Sequence, residues 1–319
     1  MKWSTIRKAI LHPRRTLDEY ARLKTDLLAA CQERDELKSF LAAAPQFAPP
    51  GHFYSPIPSK NDVDKHFAML QQKSLLDDLP AIRMDDATQI EFLNCLSTYY
   101  SKVPFSAKPS EQWLYHYDNP HYSYTDGITL FCALNHFRPE RLMEIGSGFS
   151  TCAILDTNRV FLDSRTQITC IEPHADLLRS LVNRSNDTLT IVETTLQDVD
   201  LELFDRLGPK DILFIDSTHV SKAGSDVNYI IFEILPRLKP GVIVHIHDIY
   251  AGYEYPEVWL REGRAWNEAY LLRAFLEYND RFRILFFASY MQNRHEDWFR
   301  KHMPDTLLGK GGCFWMEKL

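Results

Sequence analysis

The spacing of apolar positions changes character near residue 141. Before it, hydrophobic side chains recur at helical intervals. Leu17, Tyr20, Leu23, Leu27, Cys31, Leu37 and Leu41 do so within Thr16 to Ala44, a stretch without Gly or Pro. Thr16 reads as the N-cap of that helix, with Asp18 and Glu19 in its first turn. The stretch breaks at Ala44-Pro45 and again at Pro49-Pro50-Gly51. A second helical pattern runs from Asp86 to Tyr100, with Ile90, Phe92, Leu93 and Leu96 on one face. Residues 1–105 are therefore expected to form a helical N-terminal extension and residues 106–319 the main domain. The first helix serves either partner binding, a homo-oligomer included, or packing on the domain that follows.

From Arg141 onward, short apolar runs alternate with helical stretches. Arg141–Ile145, Gln167–Ile171, Leu189–Val192, Asp211–Ile215 and Val242–Ile246 predict five buried parallel strands joined by helices. Arg283–Phe287 and Cys313–Met316 add two more. No long helical pattern separates that last pair, which predicts that the final strand is reversed. The fold class is α/β: a Rossmann-like doubly wound sheet, mostly parallel, whose ligands sit at the carboxyl ends of the strands.

Composition narrows the partners. The 319 residues carry 36 Lys+Arg against 43 Asp+Glu, a formal charge of −7. With those charges dispersed, a main role in gripping nucleic-acid phosphates is disfavoured. No apolar run approaches the roughly 18 residues of a membrane-spanning helix. The opening is polar and basic (Lys2, Arg7, Lys8) rather than a signal-peptide core. The six cysteines are scattered without a CxxC pair, as in reduced, cytoplasmic proteins.

Candidate chemistry lies at the predicted strand ends. Glu144-Ile145-Gly146-Ser147-Gly148-Phe149-Ser150 joins the first strand to its helix. Its two glycines permit a sharp turn and close backbone approach to a ligand, beside free N–H groups of the helix. A dinucleotide fingerprint would place a third glycine where Thr151 stands, which weakens a pyrophosphate reading. No Lys-Ser or Lys-Thr pair follows, so this is not a P-loop. Glu172 follows the second strand, where a carboxylate can accept both hydroxyls of a ribose. Gln197 and Asp198 follow the third, placed to meet an adenine amino group. Asp216 closes the fourth strand with His219 three residues on, and His247-Asp248 closes the fifth. These strands are expected to be neighbours, so four ionisable groups should crowd one rim, a costly arrangement unless they are paired, metal-bound or working. His245 is expected to point into a packed face. The aromatic stretch Tyr115–Asp126 and the segment Tyr250–Trp259 flank this rim, either as walls of an acceptor pocket or as packing.

Together these motifs resemble the class I S-adenosylmethionine-dependent methyltransferases, over roughly Arg141 to the C-terminus. The resemblance implies S-adenosylmethionine as cofactor, with Glu144, Gly146, Gly148, Ser150, Glu172, Gln197, Asp198 and Asp216 around it. The segments Asp216 to Asp226, Leu238-Lys239-Pro240-Gly241 and His247-Asp248 resemble a bacterial group of small-molecule O-methyltransferases. That implies a hydroxyl of a sugar or natural product as acceptor. His219 or His247 is then the base. Alternatively Asp216, His247 and Asp248 hold a divalent metal, with oxygen ligands favouring Mg²⁺ and the imidazole a transition metal. His247-Asp248 also resembles the cephalosporin-hydroxylase-like proteins, so metal-dependent hydroxylation is one alternative. A non-catalytic assembly module is another, of a different class.

Overall fold

The computed structural model describes residues 13–43, 47–72, 79–183, 185 and 188–319. Lys2, Arg7, Lys8 and the Ala44-Pro45 break lie outside them. Two compact units emerge, Met1–Pro58 and Ser59–Leu319. The helices between residues 60 and 100 thus belong with the sheet, where the sequence reading draws its boundary at 105/106.

In the first unit a single helix covers Pro13–Ala43. Thr16 is not its cap, because the helix already begins at Pro13, a residue suited to a first turn that has no use for its N–H. Tyr20, Leu23, Leu27 and Leu28 on it are exposed.

The second unit is built on one seven-stranded sheet in the order β3-β2-β1-β4-β5-β7-β6. The strands are β1 (Arg141–Ile145), β2 (Gln167–Ile171), β3 (Leu189–Val192), β4 (Ile212–Ile215), β5 (Ile243–Ile246), β6 (Phe282–Phe287) and β7 (Phe314–Lys318). All pairings among β1 to β5 are parallel, whereas β7 runs antiparallel to both β5 and β6. Every residue of β4 and β5 is buried, as expected of strands covered on both faces. The reversal of β7 follows from two short helices, Ala288–Arg294 and Glu296–His302. They bring the chain back without a full crossover. Helix Asp86–Tyr100 packs on helix Tyr124–Phe137 and on β6, so this part of the predicted extension shares the main core. Between β4 and β5 the helix is interrupted by a π turn at Ile230–Ile234, just before Pro236, which has no N–H to continue the ladder.

All six cysteines are free. Among the described residues no helix is long and apolar enough to cross a membrane.

Candidate active site

Register fixes what meets at the carboxyl edge. Ile145 is level with Ile171 on one side and Ile215 on the other, and Ile215 with Ile246. The next residues, Glu172, Gly146, Asp216 and His247, therefore stand in a row across four strands. The ladder continues through them: the N–H groups of Gly146, Asp216 and His247 donate to the carbonyls of Ile171, Ile145 and Ile215 at 2.9–3.1 Å.

The glycine turn is braced from below. Glu144 does not face the cleft: it is fully buried and accepts hydrogen bonds from Ser150 Oγ at 2.5 Å, Thr151 Oγ1 at 2.6 Å and Cys170 Sγ at 3.2 Å. Burial raises its carboxyl to about 7, against those three bonds. Thr151, where the dinucleotide fingerprint has glycine, also accepts from the Gly148 N–H at 3.1 Å. Ser150, buried as well, is thereby committed to the brace. Gly146 sits at φ +79°, and a Cβ there would lie 1.8 Å from the Asp216 carbonyl oxygen. A Cβ on Gly148 would meet nothing within 4 Å.

Two clefts open on this edge. One, of about 360 Å³, runs over the ends of β1 to β4 and is lined by Gly146, Glu172, Gln197, Asp216 and Asp226 among others. The other, of about 260 Å³, is lined by Gly148, Tyr122, His219, His247, Asp248 and Trp266 among others. Gly146, Glu172 and Asp216 belong to both walls. Glu172 is half-buried; one carboxylate oxygen accepts the His174 N–H at 2.8 Å and the other lies 3.4 Å from Ser147 Oγ. Gln197 reaches the first cleft and donates to the Gly224 carbonyl at 2.7 Å. Asp198 does not line it; it is exposed and accepts from Thr195 Oγ1 at 2.7 Å.

In the second cleft, acids and imidazoles converge. His219 Nε2 lies 3.5 Å from Asp216 Oδ1 and 3.7 Å from Asp248 Oδ2. His247 Nδ1 lies 3.3 Å from Asp216 Oδ1 and 3.8 Å from Asp248 Oδ1. Burial opposes the imidazolium of His219, yet Asp216 and Glu268 outweigh it and push the group up to about 10. His247 is likewise raised against its burial by Asp248, Asp216 and Asp126. Asp216, despite burial, is held well below the usual carboxylate range by the two histidines. His219 and Asp248 both adopt left-handed backbone, at φ 60° and 58°, an uncommon conformation outside glycine that clusters at functional sites. His245 is fully buried between Phe214 and Trp315 and burial drives it toward the neutral form, as its expected packed position requires.

Two contributors escape sequence reading, and a third comes from a stretch expected at the rim. Glu268 is buried with Oε2 2.8 Å from His219 Nδ1. Trp266 lies against the His219 ring with centroids 4.4 Å apart. Tyr122, from the aromatic stretch, lies 5.0 Å from the His247 ring. Its neighbours Tyr115 and Tyr117 are core instead, as are Tyr253 and Tyr255 of the segment after β5. From that segment Tyr250 reaches the rim, donating to Asp248 Oδ1 at 3.0 Å.

Residues 143–249 match the family model described as a methyltransferase domain. An uncharacterized protein from Archaeoglobus fulgidus is 30% identical over 163 residues, which span 50% of this chain and 73% of that protein. Residues 143–249 belong to that methyltransferase-domain family. Among solved structures, it is similar to the S-adenosylhomocysteine-bound methyltransferase of Podospora anserina. The figures are 14% identity, a TM-score of 0.41, and coverage of 86% of this chain and 100% of that one. It is similar also to a cofactor-bound protein from MTB, at 14% identity and a TM-score of 0.37, over 82% of this chain and 97% of that one.

The residues of this methyltransferase fit the groups its family implies. The first cleft, with the half-buried Glu172 and Gln197 on its wall, suits a nucleoside with its ribose diol on the carboxylate. A divalent cation fits too. Among the described residues, one ligand atom each from Asp216, His219 and Asp248 lie within 4.8 Å of one another. Donors held about 2.1 Å from one ion stand roughly 3 to 4 Å apart. The sequence reading has His247 as the nitrogen donor; His219 joins the group with Asp216 and Asp248, and His247 Nδ1 lies 3.3 and 3.8 Å from the same two acids.

Proposed function

We propose that this protein transfers a methyl group from S-adenosylmethionine to a hydroxyl of a small molecule. The observation that carries the reading is the shared wall: Asp216 and Gly146 belong both to the cleft suited to a nucleoside and to the cleft where acids and imidazoles meet. A methyl donor on one side and an acceptor on the other would face each other across it. S-adenosylmethionine, when bound, supplies a methyl on a sulfonium, already a strong electrophile. What remains for the chain is to align the partners and take the acceptor's proton.

Glu172 would hold the ribose hydroxyls, the Gly146–Gly148 turn would admit the methionine end, and Gln197 would meet the adenine side. Glu144 and Ser150 would act indirectly, by fixing the turn. Asp216 and Asp248, with a histidine, would hold a divalent cation, which when present lowers the pKa of a hydroxyl. Whichever of His219 and His247 is not on the cation would orient the acceptor and take its proton. The six free thiols support a reducing, cytoplasmic setting, and the exposed Tyr20, Leu23 and Leu27 support self-association through the first helix.

The test is incubation of the full-length protein with isotopically labelled S-adenosylmethionine and a panel of sugars, phenols and polyols, with and without chelator. Products gaining a labelled CH₂ unit are expected, with loss on chelation and rescue by one added cation. Products gaining an oxygen would favour hydroxylation instead, and no product from any acceptor would remove the reading.

A further inference from the structure

Each imidazole of the rim is backed by a second buried acid. His219 turns Nε2 toward Asp216 and Asp248, while its Nδ1 lies 2.8 Å from Glu268 Oε2. A carboxylate only accepts, so Nδ1 carries a proton, and a cation binding at Nε2 would take the place of the other. His247 is arranged in the opposite sense: Nδ1 faces Asp216 and Asp248, and Nε2 lies 3.6 Å from Asp126 Oδ2. Glu268 is 2% exposed and Asp126 6%. These acids come from separate elements, the start of helix Glu268–Leu276 and the first turn of helix Tyr124–Phe137. The backbone reinforces the first pair. The His219 carbonyl accepts the N–H groups of Asn267 and Glu268 at 3.0 and 3.2 Å, and Asn267 Oδ1 accepts the Ser221 N–H at 2.5 Å. The loop after β4 is thereby stitched to the helix that supplies its acid.

Carboxylates placed behind ligating histidines set ring plane and tautomer and strengthen the inner nitrogen as a donor. Mg²⁺ prefers oxygen ligands in near-octahedral array, whereas imidazoles favour later first-row metals. We propose that Glu268 and Asp126 are positioning residues that aim His219 and His247 at Asp216 and Asp248, making a mixed nitrogen–oxygen centre that takes a transition-metal dication in preference to Mg²⁺. This rests on Asp216 and Asp248 being cation ligands, as read above.

The experiment is calorimetric titration of Co²⁺ alone and Mg²⁺ alone into the full-length wild type, Glu268→Gln and Asp126→Asn. The visible absorption of bound Co²⁺ is recorded alongside. S-adenosylhomocysteine affinity and melting temperature are measured on each protein as controls of fold. Wild type should bind Co²⁺ at least about tenfold more tightly than Mg²⁺. Glu268→Gln should lose roughly 10- to 100-fold in Co²⁺ affinity and alter the Co²⁺ spectrum, with S-adenosylhomocysteine affinity unchanged. Equal Co²⁺ affinity in wild type and Glu268→Gln, or Mg²⁺ binding as tight as Co²⁺, overturns the proposal and leaves Asp216 and Asp248 as ligands. Failure of wild type to bind either ion removes the cation reading beneath it. Should Glu268→Gln melt early or lose S-adenosylhomocysteine binding, Asp126→Asn decides by the same comparison.

Discussion

Two glycines two positions apart do different work in this molecule. Gly146 is needed by the fold: its positive φ and the Asp216 carbonyl at 1.8 Å from any added Cβ leave no room for a side chain. Gly146→Ala should therefore destabilise the protein by at least about 2 kcal/mol, seen as a fall in denaturation midpoint, and weaken cofactor binding with it. Gly148 faces open space. Gly148→Ala should leave the melting temperature nearly unchanged while lowering S-adenosylhomocysteine affinity severalfold, because the new methyl enters the cleft. Equal effects of both substitutions on stability would contradict this division. At this scale the sequence is legible where strand ends dictate position. Glu172, Gly146, Asp216 and His247 each follow the last residue of a strand, and parallel register puts them in one row. Legibility fails where a turn decides. Gln197 and Asp198 are neighbours in the 3-10 turn Leu196–Asp198, yet one enters the cleft and the other faces solvent. Glu268 lies 49 positions from His219, and no spacing rule connects the two. Glu144 carries the family's motif, but only the buried hydroxyls of Ser150 and Thr151 reveal it as a brace.

Among the elements, the tie between helix Asp86–Tyr100 and helix Ala288–Arg294 is the most open to a pH test. Asp86 accepts hydrogen bonds from Tyr290 Oη at 2.8 Å, His295 Nε2 at 2.9 Å and Arg294 Nε at 3.1 Å. Burial raises its carboxyl, but the bonds from His295, Tyr290 and Arg294 outweigh it and hold the group below the usual range. A depressed folded pKa adds stability that is present above the unfolded value and lost as pH falls through the folded one. Asp86→Asn should therefore lower stability at neutral pH by about 1–2 kcal/mol, and the gap to wild type should close as pH falls below the ordinary aspartate range. A gap independent of pH would show that the charge of Asp86 does not matter. Strands are more readable than helices here, since Ile212–Ile215 is apolar throughout and Ile243–Ile246 is apolar but for His245. The two short helices between β6 and β7 give only one or two turns of pattern each, too little for periodicity to register. The helix before β5 hides its π turn, which apolar spacing does not register and which lies just before Pro236.

Across the whole domain, seven strands in the order β3-β2-β1-β4-β5-β7-β6 bring to one edge residues more than a hundred positions apart in the chain. A carboxylate suited to a ribose stands two strands from an acid–histidine centre, with a glycine turn between them. In the function proposed here, chemistry at one end would depend on the cofactor being gripped at the other. Calorimetric titration of S-adenosylhomocysteine into wild type and Glu172→Ala tests that arrangement most directly. One equivalent should bind to wild type, and Glu172→Ala should weaken binding tenfold or more, about 1.4 kcal/mol, with its melting temperature unchanged. No binding to wild type, or the same affinity in both proteins, would contradict the account.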